Sequence, residues 1–236
     1  MKIALLTTDT DHHRYFINKC ILETNADVSV LYETRVLKKA YSTGPFFEKE
    51  EAKFNKRFFD DLTPKALEKE SFSCSSANSD EAIEWLKEIN PDLGIVFGTG
   101  KIYPETFSIP RLGMINVHRG IIQKYRGLDS DLWAILNQDF DNIGITIHTV
   151  DENLDTGDIL FESAIDMNNC REVYHIKYLT TITAVNFMLR IINQLEKNKS
   201  ASLNTRKQKS LGKYYSSMPL EKKIEAKKLF DKFKGK

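Results

Sequence analysis

The chain has 236 residues, with 34 basic and 33 acidic side chains, a net charge of +1 and 41% hydrophobic residues. That length fits one larger α/β unit, or one domain with a short appendage, and the even charge gives no footing for a nucleic-acid or membrane surface. Cys20, Cys74 and Cys170 lack metal-like spacing, no apolar run is long enough to span a membrane, and Met1–Leu6 is too short for a signal peptide, so the expectation is a cytoplasmic protein with reduced thiols, no metal and no membrane partner.

Apolar runs alternate with helical patterns along the chain. Lys2–Thr8, Val28–Glu33 and Leu93–Gly98 are rich in Ile, Val and Leu and read as buried parallel strands. Helices are predicted at His12–Glu23, at Phe46–Leu62 with Phe47, Phe54, Phe58 and Phe59 as its stripe, in a short piece after Pro64, and at Asp80–Ile89 ahead of Pro91. Ser73–Ser79 reads as a loop. Met114–His118, Asn142–Val150 and Ile159–Ile165 read as further strands, Ser130–Asn137 as a short helix and Arg171–Lys197 as a long one. Such alternation predicts a Rossmann-like α/β fold, a mostly parallel sheet with helices on both faces. Ligands of such sheets bind beyond the carboxyl ends of the strands. A catalytic domain is expected over residues 1–200 and a short basic extension over 201–236. The lysine-rich stretch from Arg206 reads as a solvated helical tail in preference to a polyanion-binding arm.

The chemistry concentrates between Gly113 and Asp158. Asn116 and His118 stand two apart where a strand leaves the core, which puts both on one face. A carboxamide donor beside an imidazole suits a developing oxyanion. The turn Leu154-Asp155-Thr156-Gly157-Asp158 offers a carboxylate to orient the imidazole and raise its pKa. Taken singly, each element also reads as ordinary backbone capping or an ordinary turn.

Together they resemble the folate-dependent formyltransferase family. The resemblance runs from Gly-Met-Ile-Asn-Val-His (Gly113–His118) through Tyr125-Arg126-Gly127, Trp133–Asn137 and Gly144-Ile145-Thr146-Ile147-His148 to Leu154–Leu160. It implies Asn116, His118 and Asp155 as the catalytic set and 10-formyltetrahydrofolate as co-substrate. The folate would lie between Phe97, Gly98, Thr99 and Ile102 on one side and Val150, Asp151 and Leu154 on the other. Arg126 and Gly127 resemble the family's acceptor-facing segment. Lys38 and Tyr41 offer a cation and an aromatic ring for a nucleotide, though that stretch also reads as a surface loop.

Arg119-Gly120 stands where many members continue with proline, which alters the acceptor side. The loop Thr8–His13 lacks the glycine-rich cradle that a ribonucleotide phosphate would need, and few residues follow the long helix for a tRNA-binding module. The expected acceptor is therefore a nucleotide-linked amino sugar. A methionyl-tRNA-type or other small-amine transferase, a formyltetrahydrofolate hydrolase and an inactive folate-binding protein are the alternatives.

Overall fold

Runs with no polar side chain to spare end up in the middle of the sheet. Ala4, Leu5 and Leu6 of β1 (Lys2–Thr7) and Leu93, Ile95 and Phe97 of β4 (Leu93–Phe97) are buried, as their near-continuous apolar character demands. The computed structural model describes residues 1–35, 41–44, 46–59, 71–198 and 202–235. Among them a seven-stranded sheet has the order β3-β2-β1-β4-β5-β7-β8. β2 (Asp27–Glu33), β3 (Ser71–Cys74), β1, β4 and β5 (Met114–His118) pair in parallel; β7 (Gly144–Thr149) and β8 (Ile159–Ala164) pair antiparallel at one edge. The strand order reverses between β1 and β4, so the ligand crevice belongs at their carboxyl ends.

Helices cover both faces. α1 (Asp11–Leu22) and α6 (His175–Asn198) pack together over one face, where Phe16, Ile17, Ala184, Met188 and Ile192 meet the strands. Each of the larger ones, Phe16, Ile17, Met188 and Ile192, contributes about 1.5–3 kcal/mol by leaving water. α3 (Asp80–Ile89) and the one-turn α4 (Pro104–Phe107) belong to the opposite face. Ser79 caps α3 by accepting from the Ala82 N–H, and Asn90 ends it in the left-handed region at φ 50°. α2 (Glu48–Phe59) carries Phe54, Phe58 and Phe59 against Tyr178 of α6.

β3 occupies part of what reads as loop in the sequence. Its Ser-Phe-Ser-Cys carries little strand signal, and pairing with β2 decides it. The short helix after Pro64 and the end of the predicted Phe46–Leu62 helix lie outside the described residues. The C-terminal stretch packs onto the sheet-forming unit: β9 (Lys213–Tyr215) pairs with β6 (Tyr125–Gly127), and α7 (Leu220–Phe233) buries Ala226 and Phe230 beside α5 (Ser130–Leu136). The outer face of α7 shows Glu221 and Glu225 as well as Lys222, Lys228 and Lys232, a mixed solvated surface. No helix among the described residues is long and apolar enough to cross a membrane.

Candidate active site

The antiparallel pairing of β5 with β7 sets Asn116 directly across from His148, and His118 across from Thr146. The bulge at Ile147/His148 re-aims the end of β7. The chain then turns through Val150–Asp158 and returns as β8. Asp151 organises this turn, accepting from the Asn153 N–H at 3.1 Å and from the Thr156 hydroxyl. Thr149 closes it, its hydroxyl accepting from the Asp158 N–H at 2.9 Å. Gly157 is required by close approach, because a Cβ there would lie 1.7 Å from the Thr149 carbonyl oxygen. Asp155 sits in the left-handed region at φ 55°, and that backbone turns its carboxylate back toward β5.

Asp155 Oδ2 lies 3.4 Å from His118 Nδ1, and Oδ1 lies 3.4 Å from His148 Nε2. Oδ2 also accepts the Gly127 N–H at 2.7 Å. Asn116 Nδ2 stands 3.1 Å from His148 Nε2 and donates to Asp155 Oδ1 at 3.4 Å. The three residues expected from the sequence therefore converge, and His148 joins them. Alternation along one strand does not reveal which residue faces His148 across the sheet; the pairing of β7 with β5 does.

The charges follow from these contacts. Burial alone would raise the Asp155 carboxyl, but the neighbouring imidazoles of His118 and His148 and the Gly127 N–H outweigh it and hold the group well below the usual carboxylate range. Burial pushes the His118 imidazole down, against the pull of Asp155. An ionised carboxylate thus sits beside a neutral imidazole. The Tyr125 carbonyl can only accept, so His118 Nε2–H donates to it at 2.9 Å, with the Ser130 hydroxyl at 3.2 Å. An arriving proton is then held at Nδ1, facing Asp155. His148 Nδ1–H likewise donates to the Thr149 carbonyl at 2.8 Å, leaving Nε2 to accept from Asn116.

These groups open into a cavity of about 810 Å³, a size that holds small ligands. All of the expected folate-side residues, Phe97, Gly98, Thr99, Ile102, Val150, Asp151 and Leu154, line it, as does Gly127. Arg126 is absent from the lining; its guanidinium donates to the carbonyls of Gly212 at 2.7 Å and Leu154 at 3.2 Å. Tyr41 does not line it either, since its hydroxyl donates to the Ser217 carbonyl. Lys38 lies outside the described residues. Arg119 does face the cavity, paired with Asp131, and Lys177 on α6 is paired there with Glu51 on α2. His12 also lines the cavity, buried beside His13 and Phe97. Burial lowers His12 well below the ordinary imidazole range and brings His13 to about 4. The first turn of α1 thus offers neutral rings to the cavity.

A model described as formyl transferase matches residues 45–192. The methionyl-tRNA formyltransferase of Thermodesulfovibrio yellowstonii is 34% identical over 119 residues, 50% of this chain and 38% of that protein. That of Caldanaerobacter subterraneus subsp. tengcongensis is 42% identical over 92 residues, 39% of this chain and 29% of that protein. The matches thus span well under half the length of these relatives. Among solved structures, a 4-N formyltransferase from Francisella tularensis is similar with a TM-score of 0.62 at 19% identity, covering 91% of this chain and 76% of that one. The formyltransferase PseJ from Anoxybacillus kamchatkensis, solved with UDP-4,6-dideoxy-4-formamido-L-AltNAc and tetrahydrofolate, has a TM-score of 0.51 at 18% identity, covering 94% of this chain and 97% of that one. At these identities the structural likeness establishes the shared fold.

Proposed function

The chain belongs to the formyl transferase family, and on that premise we propose that it transfers a formyl group from 10-formyltetrahydrofolate to the amine of a nucleotide-linked amino sugar. The observation that carries this reading is the meeting of Asn116, His118, His148 and Asp155 at one mouth of the cavity. The folate lies between the Phe97–Ile102 and Val150–Leu154 segments, with its formyl group at Asn116.

The amine nitrogen attacks the formyl carbon, and the carbonyl oxygen takes up negative charge. The Asn116 amide N–H stabilises that oxyanion. The amine loses its proton to the neutral imidazole of His118, whose cation the ionised Asp155 carboxylate stabilises. The bond from the formyl carbon to N10 then breaks, and the proton passes to N10, leaving tetrahydrofolate and the formamide.

Two features support a sugar acceptor. The cavity lining carries the Arg119–Asp131 and Lys177–Glu51 pairs together with a neutral His12, donors and acceptors in equal measure, as a hydroxylated ring requires. The similar structures include proteins named as 4-N and sugar N-formyltransferases. A second reading, a methionyl-tRNA acceptor, draws on the names of the curated relatives.

The test is to incubate the protein with 10-formyltetrahydrofolate alone, with amino-sugar nucleotides and with methionyl-tRNA, following loss of the formyl group. Turnover only with an amino-sugar nucleotide is the expected result. Turnover only with methionyl-tRNA replaces the acceptor, turnover with water alone makes the protein a hydrolase, and folate binding without turnover makes it a binding protein.

A further inference from the structure

Residues 206–215 run back along the catalytic sheet. Arg206 and Ile159 form an antiparallel bridge, with backbone bonds of 2.8 and 2.9 Å, and the Arg206 guanidinium stands 3.1 Å from Glu162. The Lys209 N–H donates to Gln123 Oε1 at 2.7 Å, and β9 completes the docking against β6. This path sets Gln208 against the β7–β8 turn. Its Nε2 donates to the Asp155 carbonyl at 3.2 Å and to the Gly157 carbonyl at 2.9 Å. Its Oε1 is buried and has no hydrogen-bond partner among the described residues. The amide's hydrogen bonding is therefore directed at the turn. Arg126 adds a second hold, bridging the Gly212 and Leu154 carbonyls at 2.7 and 3.2 Å.

The backbone these groups hold is the left-handed one at Asp155, which an L-residue with a Cβ leaves readily when its contacts are removed. We propose that Gln208 is a positioning residue for the Asp155 carboxylate, brought to the turn by the backbone docking of residues 206–215. The proposal rests on the formyl-transfer reading for its catalytic consequence, while its geometric claim stands apart from it. Without the paired N–H donors the turn relaxes and the carboxylate moves off the two imidazoles. His118 then loses the anion that favours its protonated form. The other groups that act on the ring stay in place: His148 from β7, Arg119 after β5 with its partner Asp131 from α5, the Tyr125 carbonyl and the Ser130 hydroxyl.

The experiment is a histidine side-chain NMR titration of the full chain carrying 15N imidazoles. It compares wild type, Gln208→Ala, Gln208→Met and the control Lys209→Ala, with the His118 signals assigned by their loss in His118→Gln. The control residue is exposed and docks through its backbone N–H, which the substitution keeps. The expected result is a His118 titration displaced to lower pH in both Gln208 variants and unchanged in Lys209→Ala. Gln208→Met keeps the length of the side chain, removes the N–H donors and adds no charge near His118, so it carries the test should the alanine variant not fold. His118 curves in the Gln208 variants that superimpose on wild type overturn the proposal, whatever happens to the melting temperature. Turnover of 10-formyltetrahydrofolate is the second readout. In the Gln208 variants kcat should fall about a hundredfold with little change in KM, the scale set by small displacements of catalytic groups. A displaced His118 titration in a protein whose wild type shows no turnover keeps the positioning role and removes the formyl-transfer reading.

Discussion

At the scale of single residues, Asp155 is the junction of the site. Its two oxygens face two imidazoles, an amide and a backbone N–H, so no single neighbour accounts for its depressed pKa. His118→Ala and Asn116→Ala should each lower kcat by about two to three orders of magnitude, the usual cost of one oxyanion or proton-transfer group. Far-UV circular dichroism should remain that of wild type, and steady-state assays with 10-formyltetrahydrofolate check the rates. His148→Ala should also lower kcat, by about tenfold or more, because its Nε2 accepts from Asn116 and faces Asp155. A variant with unchanged kcat would make His148 a core residue only. Asn116, His118 and Asp155 were legible in the sequence because their spacing and turn chemistry are local. His148 was not assignable there, and neither was the loss of Arg126 and Tyr41 to internal hydrogen bonds with carbonyls 86 and 176 positions away.

At the scale of elements, the β7–β8 turn is the most sensitive piece. Gly157→Ala would drive a methyl group into the Thr149 carbonyl. The expected loss is about 1–3 kcal/mol of stability, read by urea unfolding, together with lost turnover as Asp155 shifts. Helix α3 provides the contrasting case. Ser79→Ala removes its N-cap and should cost about 1 kcal/mol with turnover unaffected, since α3 contributes no group to the cluster of Asn116, His118, His148 and Asp155. The helix was legible in the sequence, because its periodic run and the proline after its end are local signals, while the cap at Ser79 was read there only as loop. The strands β3 and β6 carried no such signal. Ser71–Cys74 and Tyr125–Gly127 are short and mostly polar or small, and only their partners β2 and β9 make them strands.

At the scale of the whole molecule, buried histidines govern the acid side of stability. His12, His13 and His118 all have folded pKa values below their ordinary value, with His13 at about 4, and burial is the leading cause for each. Between about pH 6.5 and 4 the unfolded chain takes up protons at these rings that the folded chain refuses. Unfolding free energy should therefore be fully present above the unfolded histidine pKa and decline as pH falls through that window. Each unit of pKa difference corresponds to about 1.4 kcal/mol. Urea unfolding at pH 7 and pH 5 checks this, with a lower midpoint at pH 5, and His13→Gln should flatten the difference. The fold class and the central strands were determined by the sequence itself, since a fully apolar run of strand length has nowhere to go but the middle of a covered sheet. The pairing Asn-x-His and the Leu-Asp-Thr-Gly turn were local as well. Tertiary structure alone decided that His148 faces Asn116, that Arg119 and Lys177 are neutralised by Asp131 and Glu51, and that Gln208 reaches the Asp155 turn. Each of these is a contact between segments distant in the chain, fixed by strand order and packing, and a linear pattern carries no information about which distant segment will arrive.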